Sequence, residues 1–299
     1  MEMIEATTRR PDGGQMLTLV NGSYNRFASS YGTLILGFAH LCVSMVTRPI
    51  CSFRLNTAIQ VALRMNVDGS LEVLQGNETT SLGVSATNVI HNNTWSYIEF
   101  KAVIADSGSF EVHVNGISVL SGTGDTKYQS GADANEIYLK EGNYFDDLYV
   151  DSENFHGDCR VDTLFPTTPA GSTSDWIKSG NTYNYENVDD TTVQNDDTDY
   201  NYSETPGAID SYNFQDIPSV SGTVFAVAVN NCIKKDNVGE NHAIKRVCRQ
   251  GTTNYLGDAK DVPTTTYKIV QDIMETQPVG GAWDESSINA AEFGIEMDS

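Results

Sequence analysis

The sequence predicts an all-β protein of two sandwich domains, and three observations predict it. From Trp95 to Val150 side chains alternate apolar and polar with a period of two, the signature of half-buried strands. Turn residues punctuate short strands throughout the first half, as in a sandwich or jelly roll. Helical periodicity is absent from that half.

The strands follow in order. Met1 to Gly14 carries no periodic pattern and reads as an N-terminal arm, a candidate for docking on a partner. Strands are then expected at Gln15–Val20, Thr33–Ala39, Ser52–Leu55, Gln60–Asn66, Ser70–Gln75 and Thr80–Val84. Asp68-Gly69 marks a hairpin between two of these. Ile98, Phe100, Ala102 and Ile104 share one face of the next strand, and Phe110, Val112 and Val114 repeat the pattern. Asn115-Gly116 supplies a type I′ turn before Ile117 to Leu120 return. Ile137–Lys140 and Phe145–Val150 complete the domain, expected to span residues 15–156.

A short polar join ending in Gly157 marks the boundary. The second domain, residues 157–299, opens with an expected strand at Cys159–Leu164. Between Lys178 and Lys234 there is no Lys or Arg but nine Asp and Glu, interleaved with Tyr183, Tyr185, Tyr200, Tyr202 and Tyr212. Val224–Val229 is continuously apolar and reads as a central strand buried on both faces. Ala243–Arg249 and Thr265–Ile273 read as further strands. Asp284 is placed to cap a short helix over Glu285–Ala291, and Phe293–Met297 closes the chain.

Composition narrows the function classes. The chain has 299 residues and a formal charge of −22. That charge repels phosphate backbones and argues against nucleic-acid binding. Met1 to Pro11 is charged and lacks the apolar centre of a signal peptide. Leu34–Val46 is too short to span a bilayer and reads as core strand, so no membrane association is expected. The five cysteines (Cys42, Cys51, Cys159, Cys232 and Cys248) are odd in number and none is spaced C-x-x-C, so buried free thiols are expected. Cys232 and Cys248 flank a turn-like stretch, which makes a disulfide across a hairpin the alternative.

Few residues carry chemistry. Asp146 and Asp147 are adjacent carboxylates that a strand sends to opposite faces; one must be hydrogen-bonded or paired with a metal. Ca²⁺ is the candidate ion, because hard cations prefer clustered oxygens; no other cofactor is implied. Asn195 to Asp199 begins like a calcium loop but has Tyr200 and Pro206 where the glycine and bidentate glutamate belong. His40, His91, His113, His156 and His242 show no ligand spacing, and His113 reads as exposed. Trp95 and Trp283 read as core anchors. Trp176, in a Ser/Thr/Gly-rich loop, is the candidate for stacking on a glycan, set against partial burial. Nucleophile-elbow, Walker A, H-E-x-x-H and dinucleotide motifs are missing. The only E-x-D is Glu296-Met297-Asp298, which excludes the paired-acid E-x-D-x-x-E of jelly-roll glycosidases. No enzyme is expected.

Several blocks carry a family resemblance. Thr33–Phe38, Trp95–Lys101, Gly108–Gly116 and Phe145–Val150 resemble the concanavalin A-like lectin/glucanase fold, in the laminin-G-like version of tailed-bacteriophage structural proteins. Gly157–Val161, Asp196–Tyr200, Ser221–Val224, Gly280–Trp283 and Ala291–Gly294 are similar to a module that follows that domain in such proteins. The resemblance covers about Tyr31 to Ile295. It implies an N-terminal concanavalin A-like jelly roll followed by a smaller β-sandwich. It also implies a non-enzymatic virion component (decoration, collar, baseplate or fibre) assembled in the host cytoplasm, homo-oligomeric and contacting capsid or tail proteins. It transfers no catalytic or sugar-binding residue. The alternative is a host-glycan or receptor binder using loops of the first sandwich, for which exposed aromatics beside acids or amides would speak. A glycan hydrolase would need two carboxylates converging in a cleft roughly 5–10 Å apart.

Overall fold

A computed structural model describes residues 17–18, 22–76, 78–168, 171–190, 197–218, 222–239, 241–262 and 264–299. The expected arm, Met1 to Gly14, lies outside them. The chain divides into two compact units, Met1–Val161 and Asp162–Ser299, a few residues past the expected boundary at His156.

The first unit begins with β1 (Leu17–Thr18), β2 (Ser23–Tyr31), β3 (Thr33–Cys42), β4 (Arg48–Leu55), β5 (Ala58–Met65) and β6 (Leu71–Gln75). It continues with β7 (Ser81–Val84), β8 (Thr94–Val103), β9 (Gly108–Val114), β10 (Ile117–Gly124), β11 (Ala134–Leu139) and β12 (Tyr144–Asp151). Two six-stranded antiparallel sheets result, in the orders β1-β12-β3-β8-β9-β10 and β2-β11-β4-β5-β6-β7. Non-sequential neighbours such as β12-β3-β8 give the crossed connections of a jelly roll. The fold is all-β, as the alternation predicts.

One core fills the space between the sheets. Leu34, Leu36 and Phe38 of β3, with Ile98, Phe100 and Ala102 of β8, face Phe53 of β4 and Val61 and Leu63 of β5. Phe53 and Phe100 stack across the gap, with ring centroids 4.9 Å apart and planes 3° from parallel. Burying so many large side chains is the main stabilising term, at about 1.5–3 kcal/mol for each. Asn115 and Gly116 both have positive φ (52° and 77°), as the type I′ turn between β9 and β10 requires.

β2 has no counterpart in the sequence reading, because only two of its nine residues are even partly buried. It lies at a sheet edge, where a strand needs no apolar face.

The second unit contains β13 (Pro166–Thr168), β14 (Ile177–Ser179), β15 (Tyr200–Tyr202), β16 (Ile209–Phe214) and β17 (Val227–Ile233). It continues with β18 (Ala243–Gln250), β19 (Thr253–Leu256), β20 (Lys260–Asp261), β21 (Lys268–Met274), helix α1 (Glu285–Asn289) and β22 (Glu292–Met297). A sheet ordered β13-β16-β22-β18-β19 is faced by the ribbon β17-β21. Val227, Val229, Ile233 and Val270 of the ribbon pack on the sheet's two apolar clusters. Asp284 caps α1 as expected, its side chain accepting from the Ser287 amide at 2.7 Å.

Three expectations for this unit are corrected. Cys159–Leu164 forms no strand. The apolar run at Val224–Val229 is not a central strand buried on both faces: Phe225 is 44% exposed and β17 belongs to a two-stranded ribbon. Because β17 pairs with β21 and not with β18, Cys232 and Cys248 do not face each other across a hairpin, and no disulfide joins any of the five cysteines; Cys42, Cys51 and Cys248 are buried, Cys159 and Cys232 half-buried. Among the described residues no helix is long and apolar enough to cross a membrane.

Candidate functional site

Two surfaces gather polar side chains, one closed by the chain itself and one open.

The closed surface is the outer face of the first sheet. The row Tyr149–Gly37–Glu99 runs across β12, β3 and β8. A Cβ on Gly37 would come within 2.0 Å of the Tyr149 ring, so glycine lets that ring lie flat and reach Glu99. Glu99 is buried, and its Oε1 accepts from Tyr149 Oη (2.5 Å), the His156 amide (3.0 Å) and the Gly157 amide (2.8 Å). Burial, then the carboxylate beside it, raises the Tyr149 phenol above its ordinary pKa. The segment after β12 is thereby drawn over the sheet. Phe155 stacks on His113 at 4.1 Å, His113 meets Glu111 at 2.8 Å, and His156 meets Asp151 at 2.7 Å. His113 is therefore covered, not exposed as the alternation implied.

Asp146 and Asp147 sit at the β-bulge where β12 slips against β3. Asp147 has φ 50° and is buried. Its Oδ1 accepts from the Val161 amide at 2.9 Å, while Asp146 Oδ1 accepts from the Asp147 amide at 2.8 Å. Asp147 thus holds the same covering segment, while Asp146 braces the bulge itself. Among the described residues no three His, Cys, Asp or Glu side chains gather as a cation would require.

The open surface lies in the second unit, on the hairpin β14-β15 and the 3-10 turn Asn184–Asn187. Tyr200 and Tyr202 alternate with Asn201, so both rings share one face, with centroids 6.0 Å apart. They are 39% and 44% exposed, and Ile177, paired with Tyr202, is 56% exposed. Tyr183 and Tyr185 form a second pair, stacked at 6.1 Å. Asn181 Nδ2 connects the two pairs, donating to Asp199 Oδ2 (2.9 Å) and to the Glu186 carbonyl (3.0 Å).

Beneath this hairpin runs a buried polar network. Asp210 of β16 is fully buried, and its Oδ2 accepts from Asn184 Nδ2 (2.8 Å) and Tyr212 Oη (2.6 Å). Asn201 Nδ2 donates to the Asn184 carbonyl at 2.8 Å and Asn187 Nδ2 to the Tyr200 carbonyl at 3.0 Å. Desolvation raises the Asp210 pKa, against the hydrogen bonds that favour its charge. Such a network fixes both tyrosine-bearing elements on the core sheet.

Trp176 is not the exposed platform proposed for it. It is 8% exposed, and its indole N–H donates to the Ala208 carbonyl at 3.1 Å. Trp283 is buried likewise, bonded to the Met274 carbonyl, and Trp95 is half-buried. In the calcium-like stretch, Asp197 pairs with Lys234 and Asp199 with Asn181; Asn195 and Asp196 lie outside the described residues. The tyrosine-rich acidic stretch was conspicuous in the sequence, but nothing in its spacing separated exposed Tyr200 and Tyr202 from buried Tyr212. Glu99 gave no signal, because a glutamate on the polar side of an alternating strand reads as solvated.

No protein-family model matches the sequence, and no curated protein matches it. Among solved structures, the Caenorhabditis elegans galectin LEC-6 aligns at a TM-score of 0.35 and 14% identity, over 46% of this chain and 95% of that one. An SAP-like pentraxin from Limulus polyphemus aligns at 0.34 and 13%, over 44% of this chain and 71% of the pentraxin. An endo-β-1,4-glucuronan lyase from Trichoderma reesei aligns at 0.34 and 11%, over 46% and 80%. Scores and identities of this size carry no inference about ligand or activity.

Proposed function

We propose that this chain is a noncatalytic recognition protein whose second unit presents a tyrosine platform to glycans. The observation that carries the reading is the exposed pair Tyr200 and Tyr202, held on a hairpin by the Asp210 network beside Asn181 and Asp199. Flat aromatic faces cover the apolar C–H face of a sugar, while neighbouring amides and carboxylates bond its hydroxyls. Anchoring beforehand lowers the ordering cost of binding. This moves the recognition surface from the loops of the first sandwich, where the sequence placed it, to the second unit. A noncatalytic role accords with Glu99, whose Oε1 is already taken up by three donors of its own chain.

A Tyr200→Ala/Tyr202→Ala variant tests the reading. The intact protein should bind members of a broad oligosaccharide array, and the variant should lose that binding with its thermal unfolding unchanged. Binding that survives both substitutions would dismiss the platform.

The finer reading, a structural component of a tailed-phage virion, rests on the order of the resembling blocks and on one surface. The outer face of the ribbon presents Ala228, Asn230, Cys232, Ile269, Gln271 and Ile273, without one charge in a chain of net charge −22. A face free of like-charge repulsion suits contact with another copy or with capsid or tail proteins. Proteomic analysis of purified particles decides this reading, and the chain's absence from them would remove it.

A further inference from the structure

Among the described residues β21 pairs with β17 alone, in unbroken register from Lys268 to Met274. A strand at such an edge presents unpaired amides and carbonyls, which proteins blunt with prolines, bulges, charges or short length. β21 has seven residues, no proline and no bulge. Its two charges, Lys268 and Asp272, alternate onto the side of Val270, which packs toward the sheet. At the strand's end the Met274 carbonyl takes the Trp283 indole N–H at 3.0 Å, so the free edge runs over residues 269–273.

That edge reads Ile269, Val270, Gln271, Asp272, Ile273, and its side-chain pattern is nearly symmetric about Gln271. Two copies related by a twofold axis at Gln271 pair antiparallel over the whole free edge. Ile269 then stands against Ile273 of the second copy, twice, and Val270 against Asp272. The two isoleucines are 66% and 55% exposed in a single copy, and β-branched pairs directly opposite each other stabilise a ladder. Lys268 falls one diagonal step, about 7–8 Å, from Asp272 of the second copy, an attractive pair. The two Asp272 carboxylates are also diagonal neighbours, but each is countered by Arg246 of its own chain at 3.3 Å. Sliding the register by two residues one way sets Asp272 directly against itself. Sliding it the other way sets Ile269 against Gln271 and Ile273 against Tyr267. Beside the axis, the outer face of β17 adds Ala228, Asn230 and Cys232, so two molecules of net charge −22 meet there without like-charge repulsion.

We infer that the partner of the ribbon is a second copy of this chain, joined edge to edge through β21 into a four-stranded antiparallel sheet centred on Gln271. This deepens the reading of the ribbon as a contact surface and rests on it.

The test is sedimentation equilibrium of the full-length protein over about 2–200 µM. The chain should show a monomer–dimer equilibrium with a Kd of roughly 1–100 µM, as suits a small interface. Ile269→Asp/Ile273→Asp sets like charges opposite each other twice and should weaken the dimer at least about tenfold. Ile269→Lys/Ile273→Asp sets opposite charges together in this register and should keep the Kd within about threefold. Both isoleucines are exposed, so thermal unfolding of the second unit should be unchanged in either variant. Hydrogen exchange of the unaltered chain reads the interface without a variant. Amides of β21 should slow on concentration across the same range, while those of β19, another edge strand, should not. A monomer throughout, β21 amides indifferent to concentration, or two double variants that behave alike overturns the inference. A chain monomeric in solution yet present in purified particles overturns the dimer and keeps the contact reading.

Discussion

His40 lies on β3 with 1% of its surface exposed. Its Nε2 is 3.1 Å from Asn143 Oδ1, and Asn143 Nδ2 donates in turn to the Pro49 carbonyl at 3.0 Å, which ties the β11–β12 loop to β4. Burial lowers the imidazole pKa from an ordinary 6.5 to about 4, with the Arg48 guanidinium acting in the same direction. Between those values the unfolded chain binds a proton that the folded chain refuses. The resulting stability is complete above pH 6.5 and is lost as pH falls toward 4. A gap of that width, at about 1.4 kcal/mol per tenfold, comes to roughly 3 kcal/mol. His40→Gln keeps an N–H for Asn143 and removes the titration. Urea unfolding followed by methyl NMR signals of the first unit, at pH 7 and at pH 4, measures the effect. The wild type should lose about 3 kcal/mol more than the variant over this interval. Equal losses, or an imidazole that titrates near 6.5 in the folded protein, would refute the reasoning.

Three further outcomes are expected. Glu99→Ala leaves the Gly157 amide and the Tyr149 hydroxyl without their acceptor and the His156 amide with Tyr149 Oη alone, and should destabilise the first unit by about 2–4 kcal/mol, with faster hydrogen exchange at the Gly157 amide. Gly294→Ala places a Cβ within 2.0 Å of the Asp210 carbonyl oxygen, between β22 and β16; a loss above about 2 kcal/mol in thermal unfolding of the second unit is expected. Asp284→Ala removes the cap of α1 and should lower the unfolding temperature of the second unit, while Asp284→Asn, which can still accept from Ser287, should recover most of the loss in the same assay.

Strands that carry a buried face were legible in the sequence. β9 shows it most clearly, since burial on one side forces a period of two; β3, buried on both faces, was legible as a continuous apolar run. β2 was not, because it is held mainly by pairing with β11, which leaves no mark on side-chain pattern, and by the single contacts of Phe27 with the core and Arg26 with Glu136. The Val224–Val229 run misled for the opposite reason: apolar composition does not say whether one face or two will be covered. Trp176 was read from the polarity of its neighbours, whereas its burial depends on Ala208, distant in sequence. Of Asp146 and Asp147 one was expected to need a partner; the Val161 amide that serves Asp147 lies beyond the strand, in a stretch expected to be a strand itself.

The path of the chain out of the first unit has a consequence for how that unit can be handled. Residues up to Val161 are part of its roof, because the amides of His156, Gly157 and Val161 serve carboxylates of β8 and β12. A protease cut or gene fusion at the polar join would unroof the module instead of releasing it. Transplanted alone, the first unit must keep its tail through Val161.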